Sequence, residues 1–350
     1  VAGYLLQLIG GPASAQTGGP SSTNLASNCN IARHGDRRDM PSVAVVTGAS
    51  SGIGLATTRA LAAASWNVIA TARHPETAES LRRIADELSG VELRALDVTS
   101  DESVDSCIGA VLTDLGGIDL LVNNAGAGHR GTLEQLTMDE LSQSMELNFF
   151  GVARVTKAVL PGMRAARTGR VITVTSLNGV VALPFSDAYN AAKFAVEGLM
   201  ESLATVMREF GVYISVLEPG PVRTAFFANV GGHVDNISDD DPYGKLINRF
   251  NRRMAALGSS GQSAESVADV ICEIAADPSP ALRYQSSEES RAIAAQKLVD
   301  PTGRYWRGPE DFFIPHESTL LRADPASWSA PLSQAWCAPV VMVKFRRMFS

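Results

Sequence analysis

Thr47-Gly-Ala-Ser-Ser-Gly-Ile-Gly54 is a glycine-rich turn lying between a short apolar, β-branched run, Ser42–Val46, and an alanine-rich segment of helical spacing, Leu55–Ser65. Strand, glycine turn and helix in this order form a cradle for phosphate. Gly48 permits the tight turn, Gly52 lets the backbone approach a pyrophosphate, and Gly54 lets the helix pack closely while its N-terminal amides face the anion. A glycine turn alone is a weak signal, so its weight rests on the pattern that follows.

That pattern alternates. Strand-like runs at Asn67–Ala72, Val91–Leu96, Ile118–Val122, Arg170–Thr175 and Tyr213–Leu217 are separated by helical stretches near Glu76–Leu88, Ser103–Leu115, Thr137–Met163 and Ala188–Phe210. Such alternation predicts an α/β fold, a doubly wound parallel sheet of about seven strands with helices on both faces. Ligands of these sheets bind at the carboxyl ends of the strands, where the glycine turn, Asp97, Asn123 and Ser176 all fall. The second run ends in Ala72-Arg73. An acidic residue there would hold an adenosine ribose, whereas an arginine suits a 2′-phosphate, so NADP(H) is favoured over NAD(H).

Ser176 closes an apolar run, and Tyr189 and Lys193 stand four residues apart in Asp187-Ala-Tyr-Asn-Ala-Ala-Lys-Phe. On a helix, residues at i and i+4 share a face, so phenol and ammonium can enter one pocket. A lysine beside a phenol is expected to favour phenolate and to pull its pKa toward neutrality, where acid–base catalysis works best.

Taken together, TGASSGIG, Asp97-Val98, Asn123-Asn-Ala-Gly126, Asn148, Ser176, Tyr189-x-x-x-Lys193 and Pro219-Gly220 resemble the classical short-chain dehydrogenase/reductase family over roughly residues 41–305. The resemblance implies one Rossmann-like domain and no separate substrate domain. It implies that Tyr189 exchanges a proton with the substrate oxygen, that Lys193 lowers the tyrosine's pKa and binds the nicotinamide ribose, and that Ser176 bonds the substrate oxygen. Asn148 would hold a water linking Lys193 to solvent. For the cofactor it implies Thr47, Gly48, Ser50, Ser51, Gly52, Ile53 and Gly54 at the phosphates, with Arg73, Asp97 and Val98 at the adenosine. Asn124, Ala125 and Gly126 would line the cofactor, with Tyr189, Lys193, Pro219, Gly220, Val222 and Thr224 around the nicotinamide.

The run Leu183–Ala204, Glu218–Phe226 and Pro280-Ala-Leu-Arg-Tyr284 are similar to the branch of 17β-hydroxysteroid and retinol dehydrogenases. This implies a lipophilic alcohol or carbonyl substrate, steroid-, retinoid- or fatty-alcohol-like. The substrate loop is expected at residues 226–260, with Val230, Ile237, Leu246, Ile247, Phe250 and Met254 as an apolar wall or as two ordinary amphipathic helices. A 3-oxoacyl-carrier-protein reductase is the nearest enzymatic alternative, but the Val-Asp-Gly-Gly-like ending of those chains is missing. A catalytically silent NADP(H) sensor is the alternative of another class, and such sensors usually lack the tyrosine or the lysine kept here.

The apolar content of 45% is that of a globular chain with a core, and the net charge of −7 carries no basic footprint for nucleic acid. Cys29, Cys107, Cys272 and Cys337 form no C-x-x-C pair, so no metal site is expected and a reducing, cytoplasmic setting is. No run of eighteen apolar residues spans a membrane, and membrane contact is not expected. The domain is expected at residues 41–311. Residues 1–40 are expected to be an irregular extension preceding the fold, with Met40 as the natural start rather than a secretory signal at Tyr4–Ala15. Residues 312–350 match nothing in the family and are expected to be an unstructured extension, the alternative being a membrane-contacting segment at the end, Ala338–Ser350. A homo-oligomer, dimer or tetramer, is the family expectation.

Overall fold

Alternation along the strands sets the layers. In the computed structural model, which describes residues 41–224, 231–232, 237–258 and 261–299, strand β1 (Val43–Val46) is buried along its whole length. Val43 and Val45 enter one apolar cluster, while Ala44 and Val46 enter another on the opposite face. Six further strands join it: β2 (Asn67–Ala72), β3 (Val91–Ala95), β4 (Leu120–Asn123), β5 (Gly169–Val174), β6 (Val212–Glu218) and β7 (Arg283–Gln285). All pair in parallel, in the order β3-β2-β1-β4-β5-β6-β7. The chain winds outward from β1 to β3 and then restarts on the other side at β4. The carboxyl ends of β1 and β4 therefore flank the switch point where such sheets bind ligands.

The helices are α1 (Gly52–Ala63), α2 (Glu79–Glu87), α3 (Asp101–Leu115), α4 (Met138–Met145), α5 (Gly151–Ala166), α6 (Asp187–Arg208), α7 (Gly244–Gly258), α8 (Ala264–Ala276) and α9 (Glu288–Val299). Leu61 of α1, Leu81 of α2 and Val267, Ile271 and Ile274 of α8 cover one face of the sheet. Val104 and Ile108 of α3, Val155 and Val159 of α5, and Val196 and Met200 of α6 cover the other. The doubly wound parallel α/β architecture is thus the one the sequence implied.

Three boundaries differ from expectation, and each bears on the site. Helix α1 begins at Gly52 rather than Leu55, so Gly52 and Gly54 lie in its first turn. The stretch Glu76–Leu88 is a 3-10 turn, Pro75–Thr77, followed by α2, because Ala78 takes a non-helical conformation between them. The single helix expected over Thr137–Met163 is three pieces: α4, a π-helical turn at Glu146–Phe150, and α5. Helix α4 starts on a capping box in which Thr137 Oγ1 accepts from Glu140 N and the Glu140 carboxylate accepts from Thr137 N. The π turn carries Asn148.

In the expected substrate loop, the described part holds one helix, α7, and a two-residue strand, Gly231–Gly232, paired in parallel with His129–Arg130. Ile247 and Phe250 of α7 pack on Phe185, with Ile237, Leu246 and Met254 against them. Val230, the extension at 1–40 and the tail at 312–350 lie outside the described residues.

Candidate active site

A cavity of about 420 Å³ opens at the carboxyl ends of the strands. Its floor is the glycine turn. Gly48 adopts φ +64°, and a Cβ there would come within 2.8 Å of Ala125 Cα. A Cβ at Gly54 would lie 2.4 Å from the Gly48 carbonyl oxygen and 2.5 Å from Asn124 Nδ2, so only glycine lets α1 seat this tightly. Ser51, the residue capping α1, makes no side-chain cap bond, and the first turn carries no acidic residue. The positive end of the helix thus faces the cavity with no acidic residue in its own first turn, which fits a phosphate group.

Nineteen of the sequence-predicted site residues wall this cavity. Gly48, Ser50, Ser51, Gly52 and Ile53 form the turn; Arg73, Asp97 and Val98 stand at the ends of β2 and β3. Asn124, Ala125, Gly126 and Asn148 follow β4 and the π turn. Ser176, Tyr189 and Lys193 lie after β5 and on α6, and Pro219, Gly220, Val222 and Thr224 lie after β6. Two predicted residues do not reach the wall. Thr47 turns its hydroxyl to accept from the amides of Asn124, at 2.9 Å, and Ala125, at 3.0 Å, locking β1 to β4. Gly54 backs onto Gly48. Asn123, also at a strand end, is buried and bonds Thr156 and Thr173 instead.

At the reacting end, Tyr189 hydrogen-bonds Ser176, and the Lys193 ammonium sits 5.5 Å from the centre of the tyrosine ring. Ser176 Oγ also accepts from Asn178 N at 3.1 Å, and Lys193 Nζ donates to Val174 O at 3.2 Å. Asn148 uses both amide hydrogens on Ala127 O, at 3.0 Å, and Ser144 O, at 3.1 Å, while its oxygen accepts from Ala127 N. Its bulge is fastened to the loop after β3 by Arg154, which donates to Val98 O at 2.7 Å and to Glu146 at 2.8 Å.

The expected lowering of the tyrosine's pKa is not what this geometry gives. Burial pushes the phenol up to about 12, with the Ser176 hydrogen bond opposing. Burial likewise pulls Lys193 down to about 8, with the Glu197 carboxylate opposing. In both groups desolvation is the larger effect. Near neutral pH the tyrosine therefore holds its proton and the lysine is largely charged, the state of a proton donor.

At the end of the cavity beside β2 and β3, Thr99 holds the Asp97 carboxyl below its ordinary range through side-chain and backbone hydrogen bonds, with Arg73 and Arg154 adding to the effect. Several wall residues escaped sequence reading. His129 and Arg130 project from the small strand; Arg130 lies over the Phe250 ring at 5.3 Å and donates to Asn251. Leu183 completes the apolar side beside Phe250 and Met254, two residues that the sequence had placed on an apolar wall. Behind the wall, Glu197 and Glu218 are buried carboxyls. Each could have been noticed as an acid set within an apolar run.

The comparisons agree with this geometry. The family model for short chain dehydrogenases matches residues 42–234. Retinol dehydrogenase 8 of Bos taurus is 36% identical over 275 residues, 76% of this chain and 88% of the relative. The 17-beta-hydroxysteroid dehydrogenase type 1 of Homo sapiens is 37% identical over 272 residues, 75% of this chain and 82% of the relative. A solved alcohol dehydrogenase from Thermococcus sibiricus, complexed with 5-hydroxy-NADP, superposes with a TM-score of 0.57 at 28% identity, covering 70% of this chain and 95% of its own. The chain belongs to the short-chain dehydrogenase family, NAD(P)-dependent enzymes acting on CH–OH groups.

Proposed function

We propose that the protein is an NADP(H)-dependent oxidoreductase that interconverts a lipophilic alcohol with its ketone or aldehyde, with Tyr189 as the acid and base. The observation that carries this reading is the meeting of two sets of residues in one cavity: the bare helix start above the glycine turn, and the hydrogen-bonded Ser176–Tyr189 pair with Lys193 beneath it. A bound nicotinamide supplies or accepts the hydride. The chain does the rest. Ser176 and Tyr189 hold the substrate oxygen; in reduction Tyr189 gives it the proton, and the Lys193 ammonium stabilises the phenolate that remains. Asn148 fixes the loop after β4 and supports the proton path from Lys193.

For the cofactor, amides of the α1 start and Ser50, Ser51 and Ile53 hold the pyrophosphate. Arg73, exposed beside Ala72, takes the 2′-phosphate, which is the basis for NADP(H) over NAD(H). The Thermococcus sibiricus enzyme, solved with an NADP derivative, supports that choice. Asp97 and Val98 flank the adenine; Asn124, Ala125 and Gly126 flank the ribose; and Pro219, Gly220, Val222 and Thr224 close over the nicotinamide.

The lipophilic substrate is supported by Leu183, Phe250 and Met254 along the outer wall and by the retinol- and steroid-named relatives. Exposed Phe150, Phe194 and Val206, beside α5 and on α6, support a homo-oligomer. The test is NADPH oxidation over a panel of a 17-ketosteroid, retinal, medium-chain aldehydes and short polar ketones. Turnover is expected on the lipophilic members. Turnover confined to short polar ketones would overturn the substrate class.

A further inference from the structure

Tyr189, Lys193, Glu197 and Glu201 follow one another at intervals of four along α6, so they form a stripe from the cavity to the protein surface. Glu197 is buried, and its two oxygens are engaged differently. Oε1 accepts from Thr175 Oγ1 at 2.6 Å, and Oε2 faces the Arg283 guanidinium at 3.2 Å. Arg283 comes from the edge strand β7 and also reaches Glu218 of β6 at 3.5 Å and Glu201 at 2.8 Å. Glu218 in turn accepts from Gln285 at 2.8 Å. Gly179 closes the remaining side, where a Cβ would touch Glu197 Cγ at 3.0 Å.

Three members of this cluster stand beside residues of the cavity. Thr175 precedes Ser176, Glu197 stands one turn after Lys193, and Glu218 precedes Pro219-Gly220. Arg283, in the Pro280–Tyr284 segment, joins three elements whose neighbours form the reacting end. A single carboxyl thus links the strand bearing Ser176, the helix bearing Lys193 and the edge of the sheet.

We propose that Glu197 is a positioning residue that sets the charge of Lys193 and holds the Ser176 and Lys193 segments in register, with Arg283 and Glu201 as its connection to the surface. The inference rests on the role given to Lys193 above. Its electrostatic sense is defined. The ionised carboxyl raises the lysine's pKa, so it keeps the ammonium charged at higher pH. Burial pushes Glu197 itself up to about 7; the Thr175 hydrogen bond, Arg283 and Lys193 oppose this, while neighbouring Glu218 adds to it. The support to Lys193 therefore operates above about pH 7 and fades below it.

Glu197→Gln keeps the volume and the acceptor for Thr175 while removing the charge. In NADPH-driven ketone reduction its kcat is expected to match the wild type below about pH 6, where both side chains are neutral, and its alkaline limb to fall about one pH unit earlier. Thermal unfolding without cofactor gives a second readout. The folded-state pKa of Glu197 is raised, so its contribution is full below the ordinary value of 4.5 and is lost as pH rises through about 7. The Gln variant lacks that loss, so its Tm relative to the wild type should climb across this window. Glu218→Gln removes the like charge that helps raise Glu197, so the loss from Glu197 should be complete at lower pH while the alkaline limb of kcat stays in place.

Profiles that overlay, or that differ by a constant factor at every pH, together with a pH-independent Tm difference, would overturn the proposal. Lys193→Met separates the two levels. An active Lys193→Met overturns the reading of the lysine, whereas an inactive one combined with an unshifted Glu197→Gln overturns only the role of Glu197.

Discussion

The two ends of the cavity are built from different material. The proposed nucleotide end is backbone: the turn after β1 and the bare start of α1, contiguous in the chain, with the turn tied to the end of β4 through Thr47 and Asn124. The proposed substrate end is side chains brought from far apart, with Phe250 from α7, backed by Phe185 from before α6, and Arg130 from the strand after β4 meeting there. Backbone geometry is written in glycines and can be recognised locally. A wall assembled from distant side chains carries no such mark, and it is the part free to vary with substrate.

This contrast can be broken from either side. The largest effect on cofactor binding is expected from Gly54→Ala, whose Cβ would meet the Gly48 carbonyl at 2.4 Å and force the turn open. An overpacking cost of about 1–3 kcal/mol, falling on the cradle itself, corresponds to NADPH binding weakened by up to roughly a hundredfold in fluorescence titration. Arg73→Asp should act on one cofactor only. The Michaelis constant for NADPH is expected to rise about tenfold or more, with that for NADH unchanged or lower, because a carboxylate would face the 2′-phosphate. Phe250→Ala should leave both cofactors' affinities alone. It is expected to lower stability by about 3 kcal/mol, read by denaturant unfolding, and to raise the Michaelis constant for a lipophilic ketone several-fold. If Phe250→Ala changed cofactor affinity more than Gly54→Ala did, the division between the two ends would be wrong.

The same division explains what the sequence made legible. Six of the seven strands follow from apolar runs and their alternation with helices, whereas β7, the three residues Arg283–Gln285 with no β-branched side chain, was not read as a strand; Ser176, Tyr189 and Lys193 are brought together as their spacing implied. The π turn at Glu146–Phe150 was not legible, because an extra residue per turn leaves apolar periodicity nearly intact, and the whole of Thr137–Met163 reads as one helix. That turn points Asn148 into the cavity wall. The raised pKa of Tyr189 was equally hidden, since spacing shows that a lysine is near but not how completely both groups leave water. The ion cluster of Glu197, Glu218 and Arg283 joins residues from α6, β6 and β7, and only the folded sheet places them side by side.

The account stands on Tyr189 being the proton donor to a carbonyl reduced in this cavity. The most direct test is Tyr189→Phe, which keeps the ring and removes only the hydroxyl, examined by single-turnover NADPH oxidation with a lipophilic ketone turned over by the wild type, alongside NADPH titration. Turnover is expected to fall by roughly a hundredfold to ten-thousandfold with NADPH affinity unchanged. Near-normal turnover in that variant would contradict the account.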